Sequence, residues 1–252
     1  MLPLRDRTAW LRGDLFQCLQ PAMASGQTRR LVLLGPPGVG KGTQAEMLAD
    51  AFGACPLSTG DVIRAARDHS LAPGSAMANA QERMNRGELV PDDIILGLIH
   101  NRRSCLRCAA GFIFCGFPRT KAQAVALDGL LFFEHLSLDS VISYDLPFAD
   151  LVARMAGRRF CSNCQARYHV VMQPPRVAEV CDRCGRLLVQ RKDDRPAAIW
   201  QRLEGYAEAT AQVADYYRRR GILLEVDASG RPEAVFARTM NALRTCGVTA
   251  QF

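Results

Sequence analysis

The sequence predicts an α/β protein in which a parallel sheet is covered by helices. Two observations lead there. The apolar run Leu31-Val32-Leu33-Leu34 passes straight into a glycine-rich loop, Gly35-Pro36-Pro37-Gly38-Val39-Gly40-Lys41-Gly42-Thr43, and then into a helix-forming stretch, Gln44-Ala45-Glu46-Met47-Leu48-Ala49. Further apolar runs of strand length recur along the chain with helical stretches between them. Parallel strands need crossover connections, usually helices, so this alternation implies a parallel sheet. The apolar share of 48% over 252 residues is enough for a substantial core. No apolar run reaches the ~20 residues of a membrane span.

In chain order, residues 1–28 form an N-terminal extension with Arg5, Arg7, Arg12 and Trp10. A mitochondrial transit peptide is one reading, but Asp6 and Asp14 argue against it, because such peptides avoid acids. An extension with some helix is the expectation. Residues 31–34 are the first strand, and a helix follows the loop to about residue 52. Residues 58–90 are mixed in polarity and mostly helical in pattern, with a break at Pro73-Gly74. Residues 94–103 have an amphipathic helical pattern. The runs 111–115, 141–145 and 222–226 fit buried parallel strands, and 199–220 is helical. Residues 158–196 break the alternation. They are rich in Cys, Arg, Pro and Asp with short β-like pieces, as expected of an insertion with its own stabilisation.

The loop reads Gly-x-x-x-x-Gly-Lys-Gly-Thr, close to the P-loop pattern but with Gly42 between the lysine and the hydroxyl residue. Its glycines let backbone N–H groups turn inward as an anion nest. The following helix N-terminus adds partial positive charge, and Lys41 reaches the outer phosphates of a nucleoside triphosphate. The net charge of +7, from 32 basic and 25 acidic residues, fits nucleic acid, an anionic membrane or a polyanionic small substrate. The arginines cluster near phosphate-type motifs, which favours the last. Arg29, Arg30, Arg102 and Arg103 lie outside such motifs and read as solvated surface charges.

Four of the ten cysteines form two close pairs, Cys161-x-x-Cys164 and Cys181-x-x-Cys184, sixteen residues apart. Two such turns make a tetrahedral cage of four sulfurs for Zn²⁺, closed and therefore structural. A redox or disulfide role is the alternative. Cys105 and Cys108 repeat the spacing and are expected as small buried residues at a helix end. With four thiolates in place, His169 is expected to belong to the insertion rather than to the metal, and Tyr168 and Phe160 to pack there.

Several motifs then fall into one order: Ser58-Thr59-Gly60-Asp61 with Arg64, Gly87-Glu88-Leu89-Val90-Pro91, Gly116-Phe117-Pro118-Arg119-Thr120 with Gln123, Gly157-Arg158-Arg159, Tyr168-His169, Arg191-Lys192-Asp193-Asp194 and Arg202-Leu203-Glu204. Over residues 29–245 the chain resembles the adenylate kinases, nucleoside monophosphate kinases, in their long form with a zinc-bearing lid. The resemblance implies a P-loop NTPase-type sheet of five parallel strands flanked by helices, a helical NMP-binding insertion and a small β-rich zinc lid. It divides the chain into the extension 1–28, a core of 29–57, 91–157 and 196–247, the NMP-binding insertion 58–90 and the lid 158–195.

The implied reaction is reversible phosphoryl transfer from ATP to AMP, giving two ADP. Such a transfer needs two polyanions brought in line, their charge neutralised and water excluded. By resemblance, Gly38, Val39, Gly40, Lys41, Gly42 and Thr43 hold the ATP phosphates, Arg154 stacks on the ATP adenine, and Arg231 follows a backbone contact to it. Thr59, Arg64, Glu88, Val90, Gly116, Arg119 and Gln123 belong to the AMP site, with Arg64 and Arg119 on its phosphate and Gln123 reading its base. Arg158, Arg191 and Arg202 surround the transferred group, and with Lys41 and Arg119 they form the catalytic set. Mg²⁺ accompanies ATP, and Zn²⁺ sits in the lid. We expect a cytoplasmic monomer, or a mitochondrial one if 1–28 is a targeting segment, with no nucleic-acid or membrane partner.

One position departs from the family. The resemblance implies an Asp before Gly116, acting on magnesium through bound water, and here it is Cys115. Magnesium prefers hard oxygen ligands, and a thiol is a poor substitute. Three readings follow. Another carboxylate, such as Asp61, takes over; the enzyme is slowed; or the chain is a nucleotide-binding sensor without turnover. A kinase for another nucleoside monophosphate is a further alternative.

Overall fold

The computed structural model describes residues 6–13, 15–18, 28–66, 74–164 and 166–245. The chain opens with α1 (Thr8–Arg12), β1 (Arg29–Leu34), α2 (Lys41–Phe52), β2 (Cys55–Ser58), α3 (Thr59–Ala65) and α4 (Ala76–Arg86). Next come α5 (Asp92–His100), α6 (Arg103–Leu106), β3 (Gly111–Cys115), α7 (Lys121–Phe133), β4 (Ser140–Asp145) and α8 (Phe148–Ala156). Three short strands, β5 (Arg158–Cys161), β6 (Arg167–His169) and β7 (Leu188–Val189), precede α9 (Pro196–Gly205), α10 (Ala211–Arg219), β8 (Leu223–Asp227) and α11 (Pro232–Thr245).

Five strands form one parallel sheet in the order β2-β3-β1-β4-β8. Residues of β1 alternate between two core layers, which explains its unbroken apolar run. Leu31 and Leu33 pack with α2, α8, α9 and α11 on one face. Val32 and Leu34 pack on the other with residues of α1, α3, α5, α7 and α10. β5, β6 and β7 form a separate antiparallel sheet within the cysteine-rich segment. No helix among the described residues is long and apolar enough to cross a membrane.

Local chemistry sets the helix ends. Ser58 and Thr120 cap α3 and α7 by accepting from the amides of Asp61 and Gln123. Gly53 and Gly87 end α2 and α4 in the left-handed region. The strand β2 escaped the sequence reading because it is four residues long and contains Pro56; such a strand survives only at a sheet edge, which is where β2 lies. The expected helix 199–220 is split by a π-helical turn at Tyr206–Thr210. The break expected at Pro73-Gly74 falls partly on residues outside those described.

Two expected surface arginines are buried instead. Arg29 is 7% exposed and lies over the Phe52 ring. Arg102, also 7% exposed, donates to the carbonyls of Trp10, Leu98 and Leu11 at 2.5, 3.1 and 3.4 Å. Buried guanidinium is tolerated where carbonyls satisfy its donors, and here those carbonyls belong partly to the N-terminal helix. Trp10 completes that seat. It is 1% exposed, meets Phe114 edge-on at 5.9 Å and donates its indole N–H to the Ser58 carbonyl at 3.1 Å. The first helix is therefore packed into the core rather than appended to it.

Candidate active site and metal centre

Every parallel strand ends on the same side of the sheet, and the glycine-rich loop leaves β1 there. Gly35 has φ 132°, and a side chain on it would lie 2.5 Å from the Tyr144 carbonyl oxygen, so only glycine fits. Lys41 curls over this loop and donates to the carbonyls of Gly35 and Pro36 at 2.6 and 2.9 Å. Burial pushes its ammonium down to about 7, and the charges of Arg119, Arg202 and Arg158 act in the same direction.

Those arginines share a cavity with Lys41. Nine cationic side chains line it, against five carboxylates. Burial, then the neighbouring Arg202 and Arg64, lower Arg119 to about 10. Burial and Arg64 lower Arg191 to about 9. Cations crowded until their own charge is disfavoured form a site built for a polyanion. Asp193 and Asp194, buried in the short 3₁₀ turn Lys192–Asp194, orient two of them. Arg202 Nη1 lies 3.2 Å from Asp193 Oδ2 and 3.0 Å from Asp194 Oδ1, and Arg158 Nη1 lies 3.5 Å from Asp194 Oδ1.

Of the residues expected in the site, the cavity wall gathers Gly38, Gly40, Lys41, Gly42 and Thr43 with Arg64, Glu88, Gly116, Arg119, Arg158, Arg191 and Arg202. Val39 and Thr59 are buried just behind it. Gln123 is buried outside the wall; its Oε1 accepts from the Arg119 amide at 2.8 Å and its Nε2 donates to Asp92 Oδ1 at 2.7 Å. Val90 also lies off the wall. Arg154 donates to the carbonyls of Val39, Ala228 and Gly230 at 3.1–3.2 Å, tying the loop to the segment after β8. Arg231 is exposed and not brought to the cavity.

The wall also holds residues the sequence did not flag. Arg167 of β6 reaches over the loop, where its Nη1 would meet a side chain on Gly42 at 2.8 Å and its Nη2 lies 3.4 Å from Glu46 Oε1. Tyr206 and Thr210 come from the π-helical turn, and Thr210 Oγ1 donates to the Arg119 carbonyl at 3.0 Å. Arg7 comes from the N-terminal segment. Asp61, Arg159, Asp193 and Asp194 line the wall as well, and their signal in the sequence was their place in the motifs.

In the cysteine-rich segment, the sulfurs of Cys161, Cys164, Cys181 and Cys184 lie within 4.8 Å of one another. Cys161 and Cys184 are 3.4 Å apart, and Cys164 and Cys181 3.5 Å. A tetrahedron of ~2.3 Å zinc–sulfur bonds spaces its sulfurs by ~3.8 Å, whereas a disulfide needs ~2.05 Å. All four are free thiols, so the donor set fits zinc. His169 is not part of it; its Nδ1 accepts from the amides of Val171 and Met172. Tyr168 packs beside the cage and accepts from the Asp182 amide at 2.8 Å. Cys105 and Cys108 are half-buried rather than buried, and Cys108 lies 3.9 Å from Cys55 instead.

The donors beside the glycine-rich loop do not fit a protein-held magnesium ion. Burial raises the Cys115 pKa, which keeps the thiol protonated. Asp61, the example of a replacement carboxylate in the first of the three readings, has both oxygens engaged, Oδ1 by Arg64 at 2.6 Å and Oδ2 by Arg7 at 3.0 Å. Burial alone would raise its pKa, but Arg64, Arg7 and Arg167 outweigh this and hold the carboxyl well below the usual range.

Comparisons with known proteins agree with this geometry. A family model described as adenylate kinase matches residues 33–222. Adenylate kinase of Carboxydothermus hydrogenoformans is 45% identical over 215 residues, covering 85% of this chain and 99% of that protein. The Thermodesulfovibrio yellowstonii adenylate kinase is 45% identical, covering 82% of this chain and 95% of its own, and that of Methanocella arvoryzae is 41% identical, covering 85% and 98%.

Proposed function

This chain belongs to the adenylate kinase family of ATP:AMP phosphotransferases, and from that we infer how its own residues carry the reaction. Lys41 and the amides of residues 38–43 hold the ATP phosphates. Arg64 and Arg119 hold the AMP phosphate. An AMP phosphate oxygen attacks the terminal phosphorus of ATP in line, the bond to the bridging oxygen breaks, and ADP forms on both sides. Arg158, Arg191 and Arg202 spread around the group in flight, where planar donors stabilise delocalised charge. One observation carries this reading: Lys41, Arg119, Arg158, Arg191 and Arg202 line a single cavity.

Asp193 and Asp194 aim Arg202 and Arg158. Gln123 reads the AMP base by exchanging its bond to Asp92, with Thr59, Glu88 and Val90 around it. Arg154 stacks on the ATP adenine, near Arg231. Lid and core close over both nucleotides to exclude water; adenylate kinase lids are a standing example of such closure. Adenylate kinases use Mg²⁺ with ATP, where the ion enters as part of the substrate. Cys161, Cys164, Cys181 and Cys184 hold a structural zinc that keeps the lid folded. The setting that suits this chemistry is a cytoplasmic monomer with no nucleic-acid or membrane partner.

A coupled assay of ADP formation from ATP with AMP, GMP, CMP or UMP tests the reading. AMP should be preferred, and Arg119→Ala should lower kcat/KM by about 100-fold or more. Equal turnover of all four monophosphates, or an unaffected Arg119→Ala variant, would sink it.

A further inference from the structure

The corner of the cavity beside Cys115 combines three departures. The position where the family carries a carboxylate is an uncharged thiol. The nearest carboxylate, Asp61, is locked between Arg64 and Arg7. Two guanidinium groups reach the corner from opposite sides. Arg7 arrives on the N-terminal segment, with Nη1 4.0 Å from Glu46 Oε1 and a buried Nε that has no partner among the described residues. Arg167 arrives from the lid and lies against Gly42 and Glu46. The segment carrying Arg7 precedes the family match, which begins at residue 33, and it is fixed by the Trp10–Ser58 and Arg102–Trp10 hydrogen bonds.

We propose that Arg7 is a substrate-binding residue of the phosphate cleft, and that with Arg167 it supplies from fixed side chains the positive charge that a metal anchored at position 115 would otherwise bring. The ligand is the polyphosphate of the bound nucleotide pair, so the proposal rests on the two-nucleotide reading above. Charge balance carries it. A carboxylate with a divalent cation adds one net positive charge to a cleft, and an uncharged thiol with Arg7 and Arg167, set against the Glu46 carboxylate that both approach, adds the same. Guanidinium has five N–H donors. Asp61 takes one of Arg7's, Nε is buried without a partner among the described residues, and Arg7 lines the same cavity as Lys41 and Thr43. Asp61 then acts as the positioning group for Arg7 and Arg64 rather than as a metal ligand. Magnesium still enters on ATP, held by phosphates and water, but the protein's grip on the phosphates no longer depends on it.

Calorimetric titration with diadenosine pentaphosphate, which occupies both nucleotide sites at once, tests this in excess EDTA and in excess Mg²⁺. The native chain should bind within about threefold in the two buffers. Arg7→Gln should lose about tenfold in EDTA, the worth of one charge-assisted hydrogen bond, and Arg7→Lys should recover part of that. In a Trp200→Phe background, Trp10 emission reports whether the segment stays docked; if Arg7→Gln shifts it, the comparison passes to Arg167→Gln, which leaves the segment untouched. Adding Cys115→Asp to Arg7→Gln should make binding magnesium-dependent. Equal binding by native chain and variant in EDTA would overturn the proposal, as would native binding that falls tenfold or more without magnesium. Absence of binding in both buffers would overturn the two-nucleotide reading as well.

Discussion

In the cysteine-rich segment, four sulfurs from two turns lie within 4.8 Å of one another; in the cleft, nine cationic side chains line one cavity. Both regions crowd groups of one kind, which repel one another once ionised. The lid cluster comes from 24 consecutive positions, Cys161 to Cys184, and is complete in itself. The partner we propose for it is a single ion, which a small closed cage surrounds. The cleft draws on residues from Arg7 to Arg202 and is only partly compensated by carboxylates, because its partner is large, mobile and must leave as product. A closed cluster confers stability, whereas an open one keeps its electrostatic stress for the ligand to relieve.

If the two clusters are separate devices, variants in one should leave the other intact. Lys41→Ala should lower kcat/KM by about 10³-fold, about 4 kcal/mol, since it removes a fixed cation from the transferred charge. Zinc content by elemental analysis should stay at the native level; loss of zinc together with activity would tie the clusters together. Cys184→Ser should empty the lid of zinc and lower Tm by roughly 10 °C, equivalent to about 3–5 kcal/mol in a chain of this size. A calorimetric scan that shows no shift would mean the cage contributes nothing to folding.

The cleft's stress should also be visible as protons. Lys41 sits near 7 before ligand binds, and phosphates should return it toward its ordinary ~10.4. Between those values ATP binding takes up a proton, so affinity falls as pH rises from 7 to 10, by at most tenfold, about 1.4 kcal/mol, per unit. The ligand-free protein moves the opposite way. Its unfolded state binds more protons in that window, so it becomes more stable as pH rises through it. Titrations at pH 8.5 in buffers of different ionisation enthalpy measure the uptake, and a value of zero would show that Lys41 is already charged. The smallest expected effect is in the lid. Tyr168→Phe leaves the Asp182 amide without its acceptor and should cost about 1 kcal/mol, read as a Tm shift of a few degrees with full zinc occupancy.

The same contrast decides what the sequence could tell. The cysteine cluster was legible because its members are spaced by turn geometry within one segment. Four of the five sheet strands were legible as apolar runs, since burial on both faces removes the polar alternation. β2 was not, because Pro56 masks it. The arginines of the cleft were legible only through ordered motifs shared with a family. Arg7 and Arg167 carry no such motif, and nothing local marks an arginine that acts across the fold. Arg102 failed for the same reason in reverse, since its carbonyl partners lie 92 and 91 positions away at Trp10 and Leu11.

That distance also sets a timetable for synthesis. Trp10 leaves the ribosome before its seat, which is assembled from Ser58, Arg102 and Phe114. At ~5–20 residues per second, the last of these follows Trp10 by roughly 5–20 s. For that interval the aromatic ring must wait beside a half-made sheet, available to whatever chaperone or neighbouring chain meets it first. The residue that brings Arg7 to the cleft is thus made well before the seat that holds it.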